Sequence, residues 1–117
     1  MIDFIKKLFS KEIYEEAALA YWYKLPDEIK VEWFRDGRYI VGKITFPGNN
    51  FMTQALSAEE FIKMVNDAVF AVYDIPKEYF KILDNRKFKP SPEQFAKLKN
   101  ASILSSQINL EKALATA

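Results

Sequence analysis

The chain has 117 residues, of which 50% are hydrophobic and 15% aromatic, and this composition suits one domain with a sizeable core rather than a disordered chain. It has no cysteine and no histidine, which excludes disulfides, thiolate chemistry and the commonest catalytic base and metal ligand. The net charge is +1, and neither a signal peptide nor an apolar run long enough to span a bilayer is visible, so we expect a cytoplasmic protein with no membrane partner.

The segment 1–26 is predicted to be helical. Ser10 is a plausible N-cap, and we expect a helix from Lys11 to Tyr23 because the stretch Glu15 to Ala20 has high helix propensity. Apolar side chains lie on several sides of this helix, which is typical of a helix that contacts more than one surface. Leu25-Pro26 is expected to end it.

A β-hairpin is the clearest feature of the middle of the chain. Asp36-Gly37 predicts a two-residue turn of type I′, because such turns need positive φ at both positions. In the resulting register Trp33 faces Ile40, and we expect this face of the hairpin to belong to the core. The face carries five large apolar residues and one glycine: Ile29, Val31, Trp33, Ile40, Gly42 and Ile44.

The opposite face of the hairpin is mixed. In the same register Phe34 faces Tyr39, with Val41 on the same side, and Lys30 faces Lys43. Adjacent exposed apolar side chains usually mark contact surfaces, and opposed lysines are mildly destabilising unless an acidic group bridges them. Two interpretations stay open, since either a terminal helix of the same chain or a partner protein covers this face. The first strand is also expected to be an edge that can accept a further strand.

A third strand and a helix follow the hairpin. Pro47 to Asn50 has turn chemistry, and Phe51 to Ala55 is short enough for a strand. Ser57 and Glu60 have the spacing of a capping box, which predicts a helix from Ala58 to Tyr73. Phe70 falls among charged residues on the polar side of this helix, so it joins Phe34, Tyr39 and Val41 as a candidate partner-binding residue. The predicted apolar stripe is Phe61, Val65, Ala68, Val69 and Val72.

Parts of this unit resemble one family of proteins. The run from Tyr39 to Gly48 resembles the second strand and Pro-Gly turn of HicB-type antitoxins. The passage from Thr53 to Phe61 is similar to the family's T-Q-G-x-T-x-E-E-A passage into its helix, although Ala55 replaces a usual Gly and Phe61 a usual small Ala. The stretch from Asn66 to Val69 also resembles the family's helix. The match covers well under half of the chain.

The resemblance implies a partial ribonuclease H-like fold and a protein that neutralises a small mRNA-cleaving toxin by binding it, as an oligomer. The predicted core face of the first strands carries Val31, Trp33 and Ile40 rather than the carboxylates that would hold a nuclease's magnesium ions. Family members commonly add a DNA-binding ribbon-helix-helix or helix-turn-helix segment. Residues 76–117 do not show the alternating strand that a ribbon-helix-helix needs.

The segment 76–117 is predicted to be helical. Asp74 is expected to cap a helix that ends near Asp84-Asn85, and Ser91 with Gln94 has the spacing of a second capping box, for a helix through Asn100. Ile103 to Ala115 is predicted to form a final helix. This segment holds eight basic and four acidic residues, and its candidate nucleic-acid contacts are Arg86, Lys87, Phe88 and Lys89. The alternative for this short stretch is a solvated loop whose phenylalanine packs into the core.

No enzymatic chemistry is indicated. The carboxylate pairs Glu15/Glu16, Asp27/Glu28 and Glu59/Glu60 are sequence neighbours, so on a helix they point to different sides and do not converge on a substrate. Calcium-loop spacing and phosphate-binding glycine loops are absent from the sequence. We therefore predict no catalytic residues, no metal site, no cofactor and no small-molecule substrate.

These observations predict a single α+β domain over residues 1–117. Its core, residues 27–75, is a three-stranded antiparallel meander with one helix packed across it (β-β-β-α), and further helices lie at both termini. The predicted function is a non-enzymatic, HicB-like antitoxin that binds a small toxin protein or itself. The alternative is a nucleic-acid-binding regulator that uses the basic C-terminal segment.

Overall fold

The computed structural model describes residues 14–84, 87–100 and 105–113. The first helix, α1, covers residues 14–24 of the described chain. The predicted N-cap at Ser10 lies outside the described residues. The elements that follow are β1 (Glu28–Asp36), β2 (Tyr39–Phe46), β3 (Asn49–Ala55), α2 (Ala58–Val72), a 3₁₀ turn (Lys77–Tyr79), α3 (Phe80–Leu83), β4 (Phe88–Lys89), α4 (Pro92–Lys99) and β5 (Ser105–Lys112).

The strands form one antiparallel sheet in the order β3-β2-β1-β5-β4. The α+β class is therefore confirmed, and the predicted three-stranded meander is one side of a larger sheet. The prediction that β1 is an edge strand is wrong, because β5 pairs with its free side from Glu28↔Glu111 to Phe34↔Ser105. The open edge beside the meander belongs to β3 instead.

The β1–β2 turn lies one residue later than predicted. Asp36 pairs with Tyr39, so the loop is Gly37-Arg38, and only its first residue has positive φ, at 61°. This is the sign pattern of a type II′ turn, which accepts glycine at the first central position. Every cross-strand pair shifts by two residues, so Trp33 faces Gly42 and Phe34 faces Val41. Because side chains alternate with a period of two, the shift keeps each residue on its predicted face.

The opposition of Lys30 and Lys43 is also wrong. Lys30 faces Thr45, and Lys43 faces Glu32, so the pair across β1 and β2 has opposite charges. Lys30 Nζ lies 3.4 Å from Glu32 Oε1 on the same face. Both lysines thus lie next to one carboxylate, and the expected like-charge conflict does not arise.

The passage from β2 through β3 into α2 follows the predicted order of elements, but β3 begins at Asn49 rather than Phe51, so the predicted turn Pro47 to Asn50 is shorter. Pro47-Gly48 forms a two-residue loop, in which a φ of 82° at Gly48 suits the third position of a type II turn. Ser57 Oγ accepts a hydrogen bond from the Glu60 N–H at 3.1 Å, as an N-cap should. The buried stripe of α2 differs from the predicted apolar stripe in two positions, since Phe70 is buried, at 3% exposure, and Val72 is exposed, at 38%.

The C-terminal segment differs most from the prediction. Instead of a final helix from Ile103, residues 105–112 form β5, in which the inward-facing Ile108 and Leu110 alternate with polar residues. Asp74 does not cap the following helix; it adopts φ of 55° just after α2, and the next helical turn begins after Pro76 without a side-chain cap. The predicted capping box at Ser91 is confirmed in both of its hydrogen bonds.

The core lies between the helices and one face of the sheet, which we call the inner face. Trp33 is 1% exposed there, as its predicted core position requires. On β2 the inner face contains Gly42, and a Cβ atom built at that position would overlap the ring tip of Phe61 from α2. The same core takes Phe88 and Leu110 from the C-terminal strands.

Two polar contacts fasten the outlying elements to this core. The buried Asn66 amide donates to the Phe88 carbonyl at 2.9 Å and accepts from the Phe88 N–H at 2.8 Å, so it satisfies β4 as a neighbouring strand would. Lys112 Nζ donates to the carbonyls of Trp22 and Leu25 at 3.3 and 3.0 Å, and it lies 4.3 Å from the centre of the Trp22 ring. These contacts tie β4 to α2 and the end of α1 to β5.

Within the described ranges, no helix is both long and apolar enough to cross a membrane.

Candidate protein-binding surface

The second face of the sheet, which we call the outer face, is not covered by any described residue. Paired residues of neighbouring strands share a face, so Phe34 and its partner Val41 both point outward, as does Met52 of β3. Phe34 is 44% exposed, Tyr39 39% and Met52 58%. We call these three residues and the half-buried Val41 the outer patch. Such adjacent apolar side chains on one sheet face are typical of an interaction surface.

A shallow groove of about 500 Å³ crosses the outer face beside this patch. Lys43 and Glu32 are part of its lining and face each other across β1 and β2. Four of the five described strands, β1, β2, β3 and β5, contribute to the groove, whose lining consists of Glu32, Trp33, Phe34, Lys43, Met52, Ser105, Ser106 and Gln107. The surface therefore combines apolar contact area with one positive and one negative group in its middle.

The structure brings together three of the four predicted partner-binding residues. Phe34, Tyr39 and Val41 all lie on the outer face, although Phe34 faces Val41 rather than Tyr39. Phe70 does not belong to this surface. Its ring packs against Phe80 of α3, with 5.2 Å between the ring centres, so the helical part of the same chain covers it.

The helix α1 does not cover the outer face. Tyr14 and Tyr21 pack instead against Tyr79, with ring centres 4.9 and 5.1 Å apart. The Tyr14 hydroxyl also donates to the Glu78 carbonyl. Tyr14 and Tyr21 therefore contact the connection between α2 and α3 rather than the hairpin.

The predicted nucleic-acid residues do not form a basic surface within the described chain. Phe88 is fully buried, so its ring is not free to stack on a base. Lys87 Nζ donates to Asp84 Oδ1 at 2.6 Å, and this bond holds the pKa of the Asp84 carboxyl below its usual range. Lys89 is exposed, and Arg86 lies outside the described residues. The interpretation in which the phenylalanine packs into the core is the one that fits.

Sequence reasoning missed the contributions of β3 and β5 to the surface. Met52 could have been assigned to the outer face, because it follows Phe51, which points inward, and side chains alternate along a strand. Ser105 and Gln107 belong to a strand that was predicted as a helix, and their alternation with Ile108 and Leu110 was the available signal. Within the described part of the chain, no three acidic side chains are grouped as they would be to hold a metal ion.

Comparisons of the whole chain with protein-family models, with curated proteins and with solved structures found no match.

Proposed function

We propose that this protein is a non-enzymatic binding protein of the HicB antitoxin type, and that its outer patch binds a small mRNA-cleaving toxin. The observation that supports the proposal is the set of apolar side chains on a sheet face that no described residue covers. A helix-covered inner face supplies the stable core, which leaves the outer face free for a partner. The identity of the partner as a toxin rests on the family resemblance of the segments between Tyr39 and Val69.

The outer patch has the composition of a protein-binding hot spot. Aromatic residues carry a large share of the energy of protein interfaces, because they bury much area at a low cost in conformational entropy. Phe34 and Tyr39 are both aromatic, and both lose water when a partner covers them. At about 25 cal/mol per Å² of apolar area, burying the patch contributes several kcal/mol before the costs of association are subtracted.

The groove adds a means of orienting the partner. Lys43 and Glu32 form an exposed pair of opposite charges beside the patch. A partner with its own opposed charges can dock in one orientation there, because the reverse orientation would put like charges together. In this arrangement the apolar patch supplies most of the affinity for the partner, and the charged pair fixes the partner's orientation.

The test uses the protein encoded by a neighbouring reading frame as the candidate toxin. We expect wild-type chain to bind it directly in calorimetry and to relieve the growth arrest that it causes. The double variant Phe34→Glu with Tyr39→Lys removes two aromatic contacts and should weaken binding at least about tenfold per hot-spot residue. Tyr23→Lys is the matched control, because Tyr23 is 68% exposed on α1 and lies outside the outer patch.

Two results would contradict the proposal. One is unchanged binding by the double variant when its thermal unfolding matches wild type. The other is tight binding to arbitrary DNA with a steep salt dependence, which is the signature of phosphate contacts and favours a nucleic-acid regulator. If the double variant unfolds, the outer face is part of the core, and the proposal fails as well.

A further inference from the structure

The edge strand β3 has an unusual composition for an exposed edge. It is Asn49–Ala55, with the sequence NNFMTQA, and it contains no charged residue and no proline. No described strand pairs with its free side. Natural proteins usually protect such edges with lysine, proline or a bulge, because an unprotected edge pairs with another strand. The free side of β3 is therefore a place where a further strand can bind.

The loop before β3 decides which backbone groups are free. Because Pro47-Gly48 is a two-residue loop, Phe46 and Asn49 form the hydrogen-bonded pair that closes the hairpin. Hydrogen-bonded and non-hydrogen-bonded positions alternate along an antiparallel pair. The N–H and C=O groups of Asn50, Met52 and Gln54 consequently point away from β2, toward the open edge.

A second apolar feature lies beside the same edge. Asn66 of α2 contacts β4, which is at the far side of the sheet. The residues on the opposite side of α2 therefore lie toward β3, and at helical spacing they are Met64, Ala68 and Val72. Met64 is 39% exposed and Val72 38%. Leu56, in the link from β3 to α2, is 53% exposed next to them.

We propose that a second copy of this chain binds at the β3 edge and forms a two-fold symmetric dimer. The two β3 strands pair antiparallel with Met52 opposite the partner's Met52, and with Asn50 opposite the partner's Gln54. These are the positions whose backbone groups are free, so each pair exchanges two main-chain hydrogen bonds. The dimer joins two five-stranded sheets into one, and it covers the exposed stripe of α2 with the same stripe of the second copy.

The spacing of the elements fits this arrangement. α2 lies over β2 and β3, with Phe61 above Gly42. The two-fold axis of the dimer lies midway between the two β3 strands. With strands about 4.8 Å apart, a helix axis midway between β2 and β3 is therefore about 5 Å from the two-fold axis. The two α2 helices would then be about 10 Å apart, which is a normal distance for packed helices.

The charges allow self-pairing as well. β3 itself brings no charge to the symmetry axis. The nearest charged residue on the outer face is Lys43, opposite Met52 on β2. In the dimer the two copies of Lys43 are about three strand spacings apart, roughly 14 Å, which exceeds the screening length of about 8 Å at physiological salt. The charges on β3 and on the outer face therefore do not oppose a second copy at this edge.

The first experiment measures the mass of the full chain by sedimentation equilibrium over a range of concentrations. We expect wild type to have twice the mass of one chain. Met52→Lys, which puts two lysines opposite each other on the axis, and Met64→Glu, which puts acidic groups between the α2 helices, should each give monomers. Leu19→Glu is the control, because Leu19 is 36% exposed on α1, away from the edge. Met64→Glu leaves the outer patch unchanged, so it should dissociate the dimer without weakening toxin binding.

The second experiment tests the register. The chain has no cysteine, so a single introduced cysteine can form a disulfide only with its counterpart in another copy. Hydrogen-bonded antiparallel pairs have Cα atoms about 5.5 Å apart, within the range that a disulfide spans. Under mild oxidation we expect Met52→Cys to cross-link and Gln54→Cys not to, since the two residues 54 would be about 14 Å apart along the strands. The proposal is overturned by a wild-type monomer at all concentrations, by a dimer that persists in both Met52→Lys and Met64→Glu, or by equal cross-linking at both cysteine positions.

Discussion

At the scale of single residues, Gly42 and Phe61 form a matched pair. Phe61, in the apolar stripe of α2, is a fully buried ring. The ring fits because Gly42 leaves the surface of β2 open beneath it. This is a close approach of side chain to backbone that only glycine permits. A large ring at position 61 of α2 thus depends on the absence of a side chain at position 42 of β2.

We predict that Gly42→Ala destabilises the protein by about 1–3 kcal/mol, because the added Cβ overlaps the buried ring of Phe61. The measurement is chemical denaturation of the single variants and of Gly42→Ala with Phe61→Leu. A smaller side chain at 61 makes room for the methyl group, so the two changes together should cost less than their sum. Lys43→Ala, on the outer face of the same strand, is the control and should have little effect. Additive costs in the double variant would show that the two residues do not compete for space.

Individual core residues were predictable, and their partners were not. Trp33 follows from alternation, which depends only on parity along the strand. Its cross-strand partner depends on whether Asp36 belongs to the turn or to the strand, and Asp-Gly sequences suit either arrangement. Phe70 was placed among charged neighbours by helical spacing, but α3 returns to cover that side of α2.

At the scale of elements, Lys112 connects the two ends of the described chain. Its side chain is 7% exposed, and its ammonium group binds the carbonyls at the end of α1. Asp27 lies 3.4 Å from the same group, and the Asp27 carbonyl also accepts the Lys112 N–H at 2.8 Å. A cation at a helix C-terminus is favourable because it meets the negative end of the helix dipole there. The attachment of α1 to the sheet therefore depends strongly on one side chain of β5.

We predict that Lys112→Met destabilises the protein by about 1–3 kcal/mol, the usual cost of removing the donor from a buried acceptor, here the Leu25 carbonyl. Methionine keeps most of the length of the side chain, so the lost term is the hydrogen bonding rather than the packing. Hydrogen exchange should report the loss first at α1, while the amides of β1 and β2 remain protected. Lys99→Met, in the exposed last turn of α4, serves as the comparison. Uniform loss of protection throughout the sheet would contradict a specific role in holding α1.

The prediction of elements succeeded where the signals were local. The capping residues Ser57 and Ser91 marked helix starts, because an N-cap depends on a few neighbouring residues. The prediction failed at β5 because the polar and small residues of this strand lack strong β propensity, and because Ile103, Leu110 and Leu114 also fit helical spacing. The pairing of β5 with β1 stabilises the strand conformation that local propensity does not favour, since tertiary context overrides weak local preferences.

At the scale of the whole molecule, the sheet order could not be derived from the sequence. The meander β1-β2-β3 is linked by tight turns, but β5 reaches β1 only after the chain has passed through α2, α3, β4 and α4. No local pattern specifies such a long-range pairing. The same topology moves the open edge from β1 to β3 and makes residues 27–75 dependent on the C-terminal segment. The sequence predicted that the hairpin has an outer face with exposed apolar residues. The contributions of β3 and β5 to that face became visible only in the complete sheet.

The dependence of the core on β5 leads to the last prediction. A chain shortened after residue 100 loses Ile108 and Leu110 from the core, and it exposes the apolar side of β1 together with its backbone groups. We expect this shortened chain to lack a cooperative unfolding transition in circular dichroism, although every element of the predicted β-β-β-α core is present in it. Because the missing piece is one strand, a synthetic peptide of residues 101–117 should restore the transition when added in excess. A matched peptide with Ile108→Asp and Leu110→Asp should not, since charged side chains cannot replace the buried ones. Cooperative unfolding of the shortened chain on its own would mean that β1 is stable as an edge strand and that β5 is peripheral.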